Sequence, residues 1–250
     1  MNKKLLPLAF ALAFATGAAQ AANFTNGSFE TGDFTGWVQG GGSWTGSPLP
    51  PVSPSSYAGG PSKNYIVGPG ADALTGLSTV YGGSFSAKVN DQVNDYSVST
   101  LQQSVLNYTD TNIYFAWNAV LEGSHGLTDS DYFSLTLRDD TTGIDIVSRS
   151  YSSAGSIGSG TTGVTWTDYL GNGWISSGWV VENIDLAALG VVGDDFTLSL
   201  LASDCPYGGH AGYAYLDGFG SVIPTPEPGT LALLGLGLAG FAAKRRRKVA

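Results

Sequence analysis

The chain has 250 residues and a net charge of −9, which gives room for one domain of ordinary size plus terminal segments. Most of the positive charge lies at the two ends. Between Ala22 and Ile223 the cations are Lys63, Lys88, Arg138 and Arg149 against nineteen acids, a balance of −15. A body this acidic lacks the basic footprint that holds DNA, RNA or anionic lipid, which argues against those partners and leaves neutral sugars and divalent cations.

Met1 to Lys4 is a basic start, Leu5 to Ala15 an apolar run, and Ala19-Gln20-Ala21 an A-x-A cleavage site. Residues 1–21 therefore read as a secretory signal helix that the Sec translocon takes and that is removed after Ala21. Residues 22–223 form the body. The lone Cys205 excludes an intramolecular disulfide and is expected to be buried.

The body opens on Asn23 to Trp37, where large apolar and small polar residues alternate around glycines. This pattern predicts a strand, a turn at Thr31-Gly32-Asp33 and a return with Trp37 inward. Asn26-Gly27-Ser28-Phe29-Glu30-Thr31-Gly32-Asp33-Phe34-Thr35-Gly36-Trp37 resembles the opening of jelly-roll carbohydrate-binding modules and their galactose-binding-like relatives. That resemblance implies a structural calcium ion held by Glu30, by backbone oxygens around Gly32, and by Asp217 of the last strand. Gly218 stands where many relatives carry a second Asp.

Trp44 to Pro61 is proline-rich and reads as a long surface loop carrying Trp44 and Tyr57. Further strands are expected at 64–67, 84–89, 96–106 (with a bulge), 112–121, 131–138, 144–151, 162–169, 174–185, 195–202 and 211–222, with a hairpin turn at 139–143. Leu186 to Gly190 reads as one helical turn ended by glycine. Some ten short strands with almost no helical period predict an all-β fold, an antiparallel β-sandwich of jelly-roll type, with its first and last strands side by side.

Sugars stack on exposed aromatic faces, and Trp44, Trp166 and Trp174 sit in Gly/Thr-rich surroundings that suggest exposure. With Tyr57 they are the candidate ligand-binding residues. The segment from Asp204 to Tyr213 is dense in reactive types, but Cys205 and His210 lack the oriented base and oxyanion hole of a thiol nucleophile. A zinc site would need more ligands than these two and His125. The segment is expected to be a packed glycine-rich loop.

The chain ends in three parts: Pro224 to Thr230, the uncharged Leu231 to Ala243, and the basic stop Lys244, Arg245, Arg246, Arg247 and Lys248. The prolines make a stiff tether, the apolar run enters a bilayer as a short transmembrane helix, and the cations hold its end in the cytoplasm. Residues 224–250 resemble the PEP-CTERM sorting signal of exopolysaccharide-producing Gram-negative bacteria, with Pro226-Glu227-Pro228 as the sorting motif. The resemblance implies processing by an exosortase after transient anchoring in the inner membrane, then delivery to the cell surface or extracellular matrix. The expected protein is non-enzymatic, with extracellular polysaccharide as its partner. The alternative is a secreted hydrolase acting on matrix polysaccharide, which would need two carboxylates at a defined separation.

Overall fold

The computed structural model describes residues 24–46, 53–126, 128–156 and 164–220. The signal cleavage residues Ala19 and Ala21, the sorting motif at 226–228 and the basic stop at 244–248 lie outside the described residues. Among the described residues, no helix is long and apolar enough to cross a membrane.

Eleven strands form two antiparallel sheets. They are β1 (Val38–Ser43), β2 (Asn64–Val67), β3 (Ser86–Val89), β4 (Ser97–Val105), β5 (Asn112–Leu121), β6 (Tyr132–Asp139), β7 (Ile144–Ser152), β8 (Ile175–Ser176), β9 (Val180–Asp185), β10 (Phe196–Ser203) and β11 (Gly212–Gly220). One sheet runs β1-β4-β10-β6-β7. The other runs β2-β3-β11-β5-β8, with β9 pairing the same edge of β5 further along. This is the expected all-β sandwich. Leu186–Leu189 is the expected helical turn, closed by Gly190 at φ 75° and capped by the Asp185 carboxylate on the Ala188 N–H.

Alternation assigns the faces. Ile113, Phe115, Trp117, Ala119 and Leu121 of β5 point into the space between the sheets, against Phe133, Leu135 and Leu137 of β6 and Leu198 and Leu200 of β10. Each sheet also carries apolar side chains on its outer face. Val120, Tyr213 and Tyr215 lie outside one sheet, and Val98, Tyr132 and Leu201 outside the other. Loops must therefore cover both outer faces, and those loops place the aromatics discussed below.

Several expectations are corrected. Residues 24–36 form turns rather than a paired strand. The Asn26 side chain receives the Thr31 N–H and donates to the Asp33 carbonyl, while Asp33 accepts from Thr31 Oγ1 and the Thr35 N–H. These local bonds compete with a ladder. The segment still reaches the last strand, since Phe219 N–H donates to the Gly27 carbonyl at 3.0 Å. Trp37 is buried. β4 pairs both neighbours in continuous register, and the irregularities lie instead in the β6–β7 pair between Leu137 and Arg138 and in β11 between Asp217 and Gly220, where Gly218 sits at φ 65°. The expected strand 174–185 is broken into β8 and β9, because Ser177 bonds Ala119 through both its amide and its hydroxyl. The described part of 162–169 contributes one isolated bridge, Thr167 to Ser176.

The sheet edges are tied by one ion pair. Arg149 of β7 donates to both carboxylate oxygens of Glu182 of β9 at 2.8 and 2.9 Å, and Trp117 Nε1 donates to the same carboxylate at 3.1 Å. Glu182 is 8% exposed. Removing Arg149 leaves that charge buried with the indole alone, whereas replacing both partners by apolar groups does not. Arg149→Met should cost about 2 kcal/mol, discounted because the arginine is partly solvated. Arg149→Met with Glu182→Leu should recover most of it, as read by urea denaturation.

Candidate functional site

The site is built on the outer face of the sheet that contains β3, β11 and β5. Ala87 and Val89 of β3 are buried inward, so alternation turns Lys88 outward, where it pairs in register with Tyr215 of β11. Tyr213 and Tyr215 share that outer face. The chain leaving β2 folds back over them, closed by a bridge between Ala71 and Ser78.

Asp72 fastens this loop down. Its Oδ1 accepts the N–H groups of Leu74 and Thr75 and the Thr75 hydroxyl, which shapes the turn. Its Oδ2 accepts the Tyr213 and Tyr215 hydroxyls, each at 2.7 Å. Burial pushes the Asp72 carboxyl up, but these donors outweigh it and hold the group below its ordinary value. Both phenols are pushed strongly up by burial and by the Asp72 charge. The Lys88 ammonium lies 3.8 Å from the Tyr213 ring centroid and donates to Gln92 Oε1 at 3.1 Å. A cavity of about 220 Å³ opens between loop and sheet, with Asp72, Leu74, Thr79, Lys88, Gln92 and Tyr213 in its wall. Trp179 helps hold the loop, donating its Nε1 to the Ser78 carbonyl and packing between Tyr81 and Tyr215.

The expected aromatic platform is corrected. Trp44 is 5% exposed and covers Val98, Tyr132 and Leu201, with Tyr57 half-buried beside it. Trp174 is 9% exposed and covers Val120 and Tyr213. Trp166 is half-buried edge-on against Tyr151. The outer faces of both sheets need apolar cover, which Trp44, Tyr57 and Trp174 supply, while Trp166 packs against the core between the sheets. Trp174 alone of the four belongs to the cluster that backs the cavity. Lys88, Asp72, Tyr213 and Tyr215 were not singled out as ligand-binding residues from sequence. The i, i+2 tyrosines of the last strand and a lone lysine between inward residues were the available signals.

Glu30 and Asp217 meet the same stretch of chain. Glu30 accepts the N–H groups of Ser84 and Phe85, and Asp217 accepts those of Tyr81 and Gly82. Asp217 is 1% exposed, and burial pushes its carboxyl up to about 7 against those donors, with the Glu30 charge adding to the rise. Gly32 stands at φ 74° above the Phe85 ring. The residues fit a cation in charge, being two acids with one buried. They fit less well in number, since among the described residues no three of His, Cys, Asp and Glu converge as a metal site would need.

At the far end of the sandwich, Cys205 is buried with its thiol on the Asp129 carboxylate, and burial followed by that contact pushes it up to about 11. The thiol is thus held protonated, opposite to what a nucleophile needs. The His125 and His210 rings lie 4.4 Å apart, and burial then the neighbouring imidazole push His210 down. Beside them the buried Asp204 receives Asn90 Nδ2, the Asp95 and Ser97 N–H groups and the Ser97 hydroxyl.

With this geometry in place, comparison with known proteins adds two findings. Residues 224–247 match the PEP-CTERM protein-sorting motif, so the chain carries the signal of an exported, exosortase-processed protein of the cell surface or extracellular space. No curated protein matches the sequence. Among solved structures, TmCBM61 in complex with β-1,4-galactotriose is similar at 13% identity, with 79% of this chain and 96% of that one covered and a TM-score of 0.39. The carbohydrate-binding module CBM28, specific for non-crystalline cellulose, is similar at 12% identity, covering 77% and 91% with a TM-score of 0.37. The family 11 module from Clostridium thermocellum, in complex with a mixed-linked tetrasaccharide, shows 8% identity, covering 82% and 97% with a TM-score of 0.31.

Burial pushes the Asp204 carboxyl up from 3.8 to about 6 despite its donors. Between those values the folded chain holds a proton that the unfolded chain has lost, so acidification through the window stabilises the fold and a rise above it withdraws that gain. The contribution is at most about 3 kcal/mol. Melting curves of Asp204→Asn across about pH 7 to 4 should lose this slope, whatever the variant's absolute stability.

Proposed function

We propose that this is a non-enzymatic, carbohydrate-binding protein of the bacterial surface or extracellular matrix, associated with exopolysaccharide. On this reading the Sec translocon exports the chain, the signal is cleaved after Ala21, and the tail anchors it briefly in the inner membrane of a Gram-negative cell. An exosortase then acts near Pro226-Glu227-Pro228. The observation that carries the binding reading is the cavity between the 68–80 loop and β11. It joins an aromatic wall to the polar groups of Thr79, Lys88 and Gln92, the mixture that sugar rings require.

Hydrolysis needs two carboxylates facing one bond. Of the residues lining the cavity Asp72 is the one carboxylate, and its oxygens already accept five hydrogen bonds. That supports binding over turnover.

Ala73 is exposed at the cavity wall, so Ala73→Trp fills the opening without touching the core. Glycan-array binding by the exported protein should be lost in Ala73→Trp at an unchanged melting temperature. Release of reducing ends from any bound glycan would instead favour the hydrolase.

Calcium is part of the proposal. Glu30 and Asp217 would hold it, with backbone oxygens around Gly32 completing the six to eight that the ion takes. The ion would cancel the buried charge of Asp217 and fix the 81–85 stretch beneath it. Calcium should raise the melting temperature by several degrees relative to chelator. Asp217→Asn should abolish the difference. Equal melting in calcium and chelator would remove the ion from the account.

A further inference from the structure

We propose that the cavity selects an anionic sugar, a uronic-acid ring of a glycan, and that Lys88 recognises its carboxylate. The inference rests on the carbohydrate-binding reading above and names the class of sugar.

The argument starts from where the cations go. The described residues contain four lysines and arginines, and three of them are neutralised. Lys63 pairs with Asp91 and Asp95 at 3.1 and 2.7 Å. Arg138 pairs with Asp145 at 3.1 Å and Arg149 with Glu182 at 2.8 Å. Among the described residues, Lys88 is the one cation with no carboxylate within ion-pair distance. It stands over the Tyr213 ring and gives one hydrogen to Gln92 Oε1. An ammonium carries three, so two remain for the cavity.

The nearest acid does not answer them. Asp72 lines the same cavity, but five donors from Leu74, Thr75, Tyr213 and Tyr215 occupy its two oxygens. Gln92 has spent its oxygen on Lys88 and keeps its amide hydrogens. The polar wall therefore offers donors at Lys88 and Gln92, and its remaining acceptor, the Thr79 hydroxyl oxygen, is neutral and carries no charge to answer the ammonium. A carboxylate supplies what is missing, and a charge-assisted bond is about twice as strong as one to a neutral hydroxyl. Burial pushes the Lys88 ammonium down in pKa, with Asp72 and Asp91 acting against it, so a bound anion relieves a desolvated charge.

The volume sets the size of the ligand. About 220 Å³ lies below the roughly 300 Å³ at which pockets for drug-sized ligands begin, so one ring enters rather than a chain. The acidity of the body does not forbid this. At physiological ionic strength charges beyond about 8 Å are largely screened, and contacts within the cavity decide.

The test uses the full chain in mild detergent and titrates it calorimetrically with uronic-acid oligosaccharides and with the same oligosaccharides after carboxyl reduction. The pair differs at one group alone, a carboxylate in the first and a neutral hydroxymethyl in the second. Wild type should bind the acidic form about tenfold more tightly, the scale of one charge-assisted hydrogen bond. Lys88→Met keeps the aliphatic stem over Tyr213 and should erase the preference, while Lys88→Arg retains it. Gln92→Glu, at an exposed position, sets a carboxylate beside Lys88 and should erase the preference too, which keeps the test valid if Lys88→Met fails to fold. Equal binding of the two forms by wild type would overturn the inference and leave the carbohydrate reading standing. So would a preference that survives both Lys88→Met and Gln92→Glu. Binding of neither form, with neutral glycans also unbound on the array, would overturn both.

Discussion

The Asp72 carboxylate is the contact on which the candidate site depends. Its five donors come from two sources: its own turn, and the hydroxyls of Tyr213 and Tyr215 on β11. The turn donors are local and cheap to assemble. The tyrosine donors carry the loop onto the sheet. Two buried phenols without Asp72 would each lose a partner at a cost of about 1–3 kcal/mol. The far end of the same stretch is held by the same chemistry, since Asp217 receives the Tyr81 and Gly82 amides and Glu30 those of Ser84 and Phe85. The chain between β2 and β3 is thus pinned by three carboxylates, two of them from other parts of the fold. A loop fixed at both ends keeps a cavity open beneath it, where a loop held by apolar contact alone would settle onto the sheet.

That arrangement has an electrostatic cost. Asp72 and Asp217 are buried, and the body is strongly acidic. The two respond differently because their donors differ. Asp72 has donors on both oxygens, two amides and a hydroxyl on Oδ1 and two phenols on Oδ2, and stays below its ordinary pKa, whereas Asp217 has fewer donors and Glu30 nearby and rises to about 7. Burial pushes both carboxyls up; at Asp72 the donors outweigh it, and at Asp217 they do not. Asp217 is consequently a place where a bound divalent ion would add stability.

The strands were legible because their alternation is clean. β2, β5 and the helical turn at Leu186–Leu189 fall where the pattern puts them, and Phe133, Leu135 and Leu137 face inward as their spacing implies. The opening segment was misread because glycines and alternating aromatics are shared by strands and by tight turns. Asn26 and Phe29 adopt positive φ, a conformation that the pattern does not signal. The tryptophans were misread for a different reason. A sandwich has two outer faces as well as a core, and both outer faces here carry apolar residues. Gly/Thr-rich surroundings then mark a loop that folds back as cover, not one that stands in solvent. The tyrosine partners of Asp72 are separated from it by more than a hundred residues, so no local pattern announces them.

The scarcity of cations gives the remaining one its meaning. In a protein rich in lysine an unpaired ammonium is ordinary surface. Here Arg138 bridges the β6–β7 hairpin to Asp145, Arg149 joins the edges of the two sheets, and Lys63 fixes the 91–95 turn beside β2. Among the described residues, each cation outside the cavity is spent on holding a specific element against its neighbour. Lys88 holds none. It lies on a central stretch of sheet whose strands are already paired on both sides, β3 between β2 and β11. Its contact with the Tyr213 face is worth about 0.5–2 kcal/mol, which a methionine or leucine packed on the same ring would match without a desolvated charge. The charge itself therefore contributes little to folding, and its position at the wall of the cavity is better accounted for by what the cavity binds.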